Sequence, residues 1–405
     1  MKIGLKSILF SLIVLVTLFC LTFFNSAVTA QEPLTILRVA LYPYVPNRHE
    51  VFYQLEATFE QEHPGVNLEL VESSDLVDNY YSGGLEKVDA DVYEIDTILL
   101  SDMIELNKIT SLKVPTSDFT PEALEAVERE GKTYGVPHWL CGNFLFYKQG
   151  DTEVEKAVTW PELNDVFSKS GTPLFVDFKG SSTLGEWYLT LLAEQDGLET
   201  AQNQIMTSSS LDNSVVSQLS SILMNCPAGF CRSSKLHDNT GYYARAFISG
   251  KARAYIGYSE SLFYGLKQGL DNCLPTSGCV SANQVAVRRL PTLNQDLNPK
   301  GLGWVDALAI APKLSEQKKK LAEEFINFTI SERAYKKILE PSYGQAPPYL
   351  IPARKLSNIN NAPLYQKFYA AHAGRQTGTV LKLNSRLRAL GKQLDQALPN
   401  ERTNL

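Results

Sequence analysis

The sequence predicts a mixed α/β protein of two lobes. Strand-like and helix-like segments alternate over residues 37–129, and the same alternation resumes over 145–257. At 405 residues the chain also exceeds what one hydrophobic core usually encloses.

Taken in order, Leu37-Arg-Val-Ala-Leu-Tyr-Pro-Tyr44 reads as a first strand. His49 to Glu62 places Phe52, Leu55 and Phe59 at helical spacing until His63-Pro-Gly65 stops it, and Val66 to Val71 is the next strand. Asp91-Val-Tyr-Glu-Ile-Asp96 forms a third strand leading into an apolar helix start at Ile98, and a further helix runs from Pro121 to Arg129. In the middle region, helices over Leu184 to Asp196 and Val215 to Met224 alternate with a short strand over Leu174 to Asp177. Gly301 to Pro312 is again a strand, and Ser315 caps a helix to Thr329 that turns Leu321, Phe325 and Phe328 to a core.

Composition narrows the function. Net charge is −6, and removing a leader that carries Lys2 and Lys6 makes it more negative, which argues against a nucleic-acid partner. That leader has a largely apolar run from Ile8 to Phe24 and ends in Val28-Thr29-Ala30, a signal-peptide pattern cleaved before Gln31. An uncleaved anchor is the alternative, because the run sits at the short limit for a spanning helix. Cleavage implies a secreted or periplasmic protein with no stable membrane association.

Past the leader remain five cysteines, an odd number for an oxidising compartment. Cys226 and Cys231, and Cys273 and Cys279, stand close enough for local disulfides, whereas a zinc site would want two-residue gaps. Cys141 is left over, as a reactive thiol or as an inert buried one. No histidine spacing points to a metal, and no cofactor is expected.

Two segments, Phe59-Glu-Gln-Glu-His-Pro-Gly-Val-Asn-Leu-Glu-Leu70 and the late strand and helix closed by Ala346 to Arg354, resemble the type II periplasmic binding-protein fold. Within that fold, four blocks resemble thiamine pyridinylase (thiaminase I): Leu37 to Pro46, Asp91 to Ser101, Tyr134-Gly-Val-Pro-His-Trp-Leu-Cys-Gly-Asn-Phe-Leu-Phe-Tyr147, and Ala254-Tyr-Ile-Gly-Tyr-Ser-Glu-Ser261. The resemblance implies Cys141 as nucleophile and Glu260 as its base, with Tyr42, Asp96, Tyr242, Tyr258 and Asp306 lining a thiamine pocket and a looser match at Tyr81. It departs from the family at Trp304, where tyrosine is expected, and at His138, where the family tends to an amide. We divide the chain accordingly into a signal peptide (1–30), lobe 1 (31–140 plus 261–314) and lobe 2 (141–260 plus 315–405).

The implied chemistry is consistent with the residues. A thiolate can add to the electron-poor pyrimidine of thiamine, the thiazole leaves as a neutral group, and a small amine or thiol then displaces Cys141. Glu260 follows the apolar strand Ala254 to Tyr258, where burial can raise a carboxyl to the working pH. His138 lies three residues before Cys141 on a strand and therefore faces the other way. Asp96 and Asp306 interrupt apolar strands, Asp96 equally as a helix N-cap. The sequence thus predicts an exported, monomeric thiamine-cleaving transferase. The alternative is a solute-binding protein that captures thiamine or a related small molecule in the same cleft without chemistry.

Overall fold

A computed structural model describes residues 34–115, 117–273, 278–295, 301–341, 346–356 and 362–399; the expected leader lies outside them. Ten strands build two sheets: β1 (Thr35–Ala40), β2 (Val66–Leu70), β3 (Val92–Asp96), β4 (Val136–Cys141), β5 (Phe144–Lys148), β6 (Leu174–Phe175), β7 (Ala254–Gly257), β8 (Val285–Arg288), β9 (Trp304–Ile310) and β10 (Ile351–Pro352). The helices that matter below are α1 (Arg48–Glu62), α2 (Ser181–Asp196), α3 (Tyr242–Ile248), α4 (Ser261–Gly269), α5 (Glu316–Thr329), α6 (Glu332–Leu339), α7 (Pro363–His372) and α8 (Leu383–Ala397).

The first sheet has the order β10-β4-β9-β3-β1-β2, with β1 parallel to both β2 and β3 and with β9 antiparallel to β3 and β4. Its central strands are covered on both faces, so all seven residues of β9, Trp-Val-Asp-Ala-Leu-Ala-Ile, are buried. The second sheet has the order β8-β5-β7-β6. Most elements lie within a few residues of their expected bounds, because apolar periodicity and turn residues are local signals. Ser315 caps α5 by accepting the Lys318 amide, as anticipated.

Pairing divides the chain differently from the expected boundaries. Residues 261–288 were assigned to lobe 1, yet α4 packs on α3 and β8 pairs with β5 of the second sheet. Residues 315–356 were assigned to lobe 2, yet α5 packs on β1 and β9, α6 on α1, and β10 pairs with β4 of the first sheet. Only the tail returns: α7 packs on β8 and α8 on α2. The reason is that edge strands are recruited by free backbone groups of a sheet, which chain order does not reveal.

The segment 134–147 carries two strands in two sheets, broken at Gly142 and Asn143. A Cβ on Gly142 would sit 2.2 Å from a guanidinium nitrogen of Arg375, so any side chain at this turn would have to displace the guanidinium. Disulfides join Cys226 to Cys231 and Cys273 to Cys279, leaving Cys141 as the free thiol among the described residues.

A similar close approach holds α8 on α2. A Cβ at Gly391 of α8 would lie 1.9 Å from the Ser181 carbonyl oxygen. In an isolated helix Gly→Ala stabilises by about 1 kcal/mol; here Gly391→Ala is expected to destabilise by roughly 1–3 kcal/mol through overpacking. Urea unfolding monitored by circular dichroism reads the sign directly.

Candidate active site

Strand ends of the first sheet bring the acids and the thiol together. Asp96 ends β3 and stands opposite Asp306 in β9, while Cys141 ends β4 opposite Trp304. Cys141 Sγ donates to Asp306 Oδ2 at 3.4 Å. Tyr42 follows the end of β1, so the cluster occupies the carboxyl end of the parallel pair β1 and β3, where open α/β sheets bind ligands.

Asp96 takes the N-cap position anticipated for it. Its Oδ1 accepts the Ile98 amide at 3.0 Å and so caps the following turn, and its Oδ2 accepts the Tyr81 hydroxyl at 2.8 Å. With that proton committed, Tyr81 receives the hydroxyl of Tyr42 at 2.6 Å. The loosely matched Tyr81 thus links two of the expected pocket residues. Beneath them the Tyr42 amide donates to Glu94 Oε2 at 2.8 Å, and Glu94 Oε1 is hydrogen-bonded to His138 Nδ1 at 2.6 Å. His138 therefore points away from Cys141 into a buried pair with Glu94.

The second lobe supplies the other wall. Tyr258 and Glu260 follow the end of β7, and the Tyr258 hydroxyl donates to Glu186 of α2. Glu186 also accepts from Asn143 Nδ2 at 2.9 Å and from the side chain of Trp304, so the tryptophan that departs from the family pattern has a polar partner here. The sequence reading missed Glu186. Its signal was available: a lone acid beside Leu184, Gly185, Trp187 and Tyr188, all buried in the same helix. Tyr242 lies tilted beside Phe230, ring centres 6.5 Å apart, and edge-on to Tyr243 at 5.5 Å, away from the hydrogen bonds of this network.

The electrostatics follow from crowding acids in a desolvated cleft. Burial pushes the Glu260 carboxyl up to about 7. Burial also raises Asp96 to about 6, and Asp306 well above the usual carboxylate range, with help from the charges of Asp96 and Glu94. The Cys141 thiol is held well above its ordinary value by burial first and then by the charges of Asp306, Glu260 and Asp96. The resting sulfur is therefore a protonated thiol facing three acids. A cation entering the cleft would offset their field and favour the thiolate. Among the described residues no group of His, Cys, Asp and Glu is arranged to hold a metal ion.

Asp306→Asn removes one of the charges that disfavour the thiolate. The pH midpoint for iodoacetamide alkylation of Cys141 should consequently move down in this variant, followed by intact mass; a midpoint that stays or rises contradicts the geometry.

Residues 54–357 match the model of the bacterial extracellular solute-binding protein family. Thiaminase-1 of Paenibacillus thiaminolyticus is 27% identical over 386 residues, covering 90% of this chain and 87% of that protein. Among solved structures, thiaminase I from Bacillus thiaminolyticus superposes with a TM-score of 0.73 at 23% identity, over 90% of this chain and 100% of that one. Clostridium botulinum thiaminase I in complex with thiamin gives 0.71 at 22% identity, over 89% and 98%. The expected two-lobed α/β architecture and the resemblance to thiaminase I are both present. No helix among the described residues is long and apolar enough to cross a membrane. On fold and family match together, the chain belongs to the bacterial extracellular solute-binding proteins.

Proposed function

We propose that this protein is an exported thiamine-cleaving transferase, in which Cys141 attacks the pyrimidine, the thiazole leaves, and a small amine or thiol takes up the pyrimidine. The observation that carries the reading is the free thiol of Cys141, which faces Asp96, Asp306 and Glu260 in the cleft. Thiamine is a cation through its thiazolium. A neutral solute gains nothing from that field, whereas a cation is drawn in and lowers the cost of ionising the thiol as it binds. Nucleophile activation is then coupled to substrate binding.

Glu260 serves as general base, with a carboxyl close to neutral that can take the thiol proton and later that of the incoming amine. Asp96 and Asp306 accept hydrogen bonds from the aminopyrimidine, and Tyr42 and Tyr258 offer ring faces to it, with Tyr242 as an outer contact. The protein acts as a monomer, without cofactor, and outside the membrane. The relatives of known activity support the substrate, and the family match supports export.

The test is mass spectrometry of residues 31–405 incubated with thiamine and pyridine, beside Cys141→Ser and Glu260→Gln. Thiazole and a pyridine–pyrimidine product are expected from the unaltered protein. Cys141→Ser should bind thiamine without turnover, and Glu260→Gln should lose about 10²–10⁴-fold in rate. Thiamine recovered unchanged from all three would leave a solute-binding protein. A second check is pH dependence. Because Glu260 must be ionised to act, kcat/KM should rise with pH through about 7 and then level, and this limb should vanish in Glu260→Gln.

A further inference from the structure

Behind Tyr258 lies a small cavity, with several polar side chains in its lining, that the chemistry above does not use. It is lined by Asn143, Glu186, Thr190, Glu194, Arg289 and Arg375, among others, and leaves about 20 Å³ open to the centre of a water molecule. That is room for one water with several polar partners. Glu186, Thr190 and Glu194 follow one another at four-residue spacing on α2 and so share a face of the helix. Glu186 reaches the cleft through the Tyr258 hydroxyl. Glu194 accepts the Leu293 amide. Its other oxygen, Oε2, is buried with no hydrogen-bond partner among the described residues, an arrangement that calls for a water or a proton. Glu194, Arg289, Leu290 and Gly301 are partly exposed and form the rim.

We propose that Glu186, the cavity water and Glu194 form a proton-release route from the cleft to solvent. The proposal rests on the transferase reading. With a neutral amine as acceptor, the bond from the pyrimidine methylene to thiazolium nitrogen breaks and its electron pair stays on the thiazole. A new carbon–nitrogen bond forms and the amine gives up one proton. Each turnover thus yields one proton, which Glu260 must shed before the next. With substrate in the open side of the cleft, Tyr258 hands its hydroxyl proton to Glu186 and takes one from the cleft. Glu186 passes its proton to the water, the water to Glu194, and Glu194 to solvent, so every group returns to its starting state.

Two further facts suit the role. Burial raises Glu186 to about 7 and Glu194 to about 8, values at which a carboxyl both takes and gives protons near neutrality. The charge of Glu186 is also felt at Glu260, so a proton on either changes the affinity of the other.

The experiment follows thiamine cleavage with aniline as acceptor, in weak buffer with phenol red, for the full chain and for Glu194→Gln. First-turnover thiazole release should match the unaltered protein. Steady-state turnover and dye-reported proton release should fall about tenfold or more, and concentrated imidazole, which takes the proton directly, should restore the turnover, read as the aniline–pyrimidine product, as a packing defect would not allow. Glu194→Asp, which keeps a carboxyl, should retain most of the rate. If Glu194→Gln equals the unaltered protein in weak buffer, or if imidazole fails to restore it, the route is overturned while the transferase stands. If the unaltered protein releases no thiazole, the transferase reading falls and takes the route with it.

Discussion

The buried guanidinium of Arg375 joins the two lobes where the chain passes between them. One nitrogen donates to the Leu302 carbonyl just before β9, another to the Asn143 carbonyl just before β5, each at 2.7 Å, and the group lies 4.6 Å from the centre of the Phe144 ring. Both crossings are thus tied to one side chain from the tail, which is why the cleft has a defined shape although its walls come from separate sheets. Burial lowers the Arg375 pKa to about 10, so it remains charged at neutral pH, and its carbonyl partners meet the hydrogen-bonding demand of a desolvated cation. The absence of a side chain at Gly142 is the local condition for this contact.

The cleft built on that tie crowds three acids and a thiol into a space short of solvent. Asp96, Asp306 and Glu260 are raised by desolvation, and their mutual proximity adds to the effect on Asp306 and on the thiol. Carboxyls and thiols shifted in this way by burial and by one another cluster at functional sites. The buried Glu94–His138 pair lies below it and fixes the Tyr42 backbone, so the aromatic lip is held from beneath by the same sheet that carries the acids.

The second wall depends on a different kind of contact. Glu186 gathers Tyr258 from the end of β7, Asn143 from the crossing and Trp304 from the first sheet. A single carboxylate therefore couples the geometry of both lobes. Its position on α2 is set by the packing of α2 against α8, where glycine allows the two backbones to meet.

What the sequence by itself determined was local. Alternating apolar patterns marked β1, β3, β9, α1 and α5 because burial of one face imposes a period that any window of the chain displays. Short spacing marked both disulfides and left Cys141 as the odd thiol, while acids inside apolar strands marked Asp96 and Asp306. Tertiary structure alone decided which sheet edge took β8 and β10, where the run 134–147 breaks, that Cys141 donates to Asp306, and that Tyr81 joins Tyr42 to Asp96. It also separated Tyr242 from the network and brought in Glu186. Each of these rests on groups brought together from distant parts of the chain. The free backbone edges and partner side chains that determine them come into being only when the two sheets have formed and been tied across the cleft.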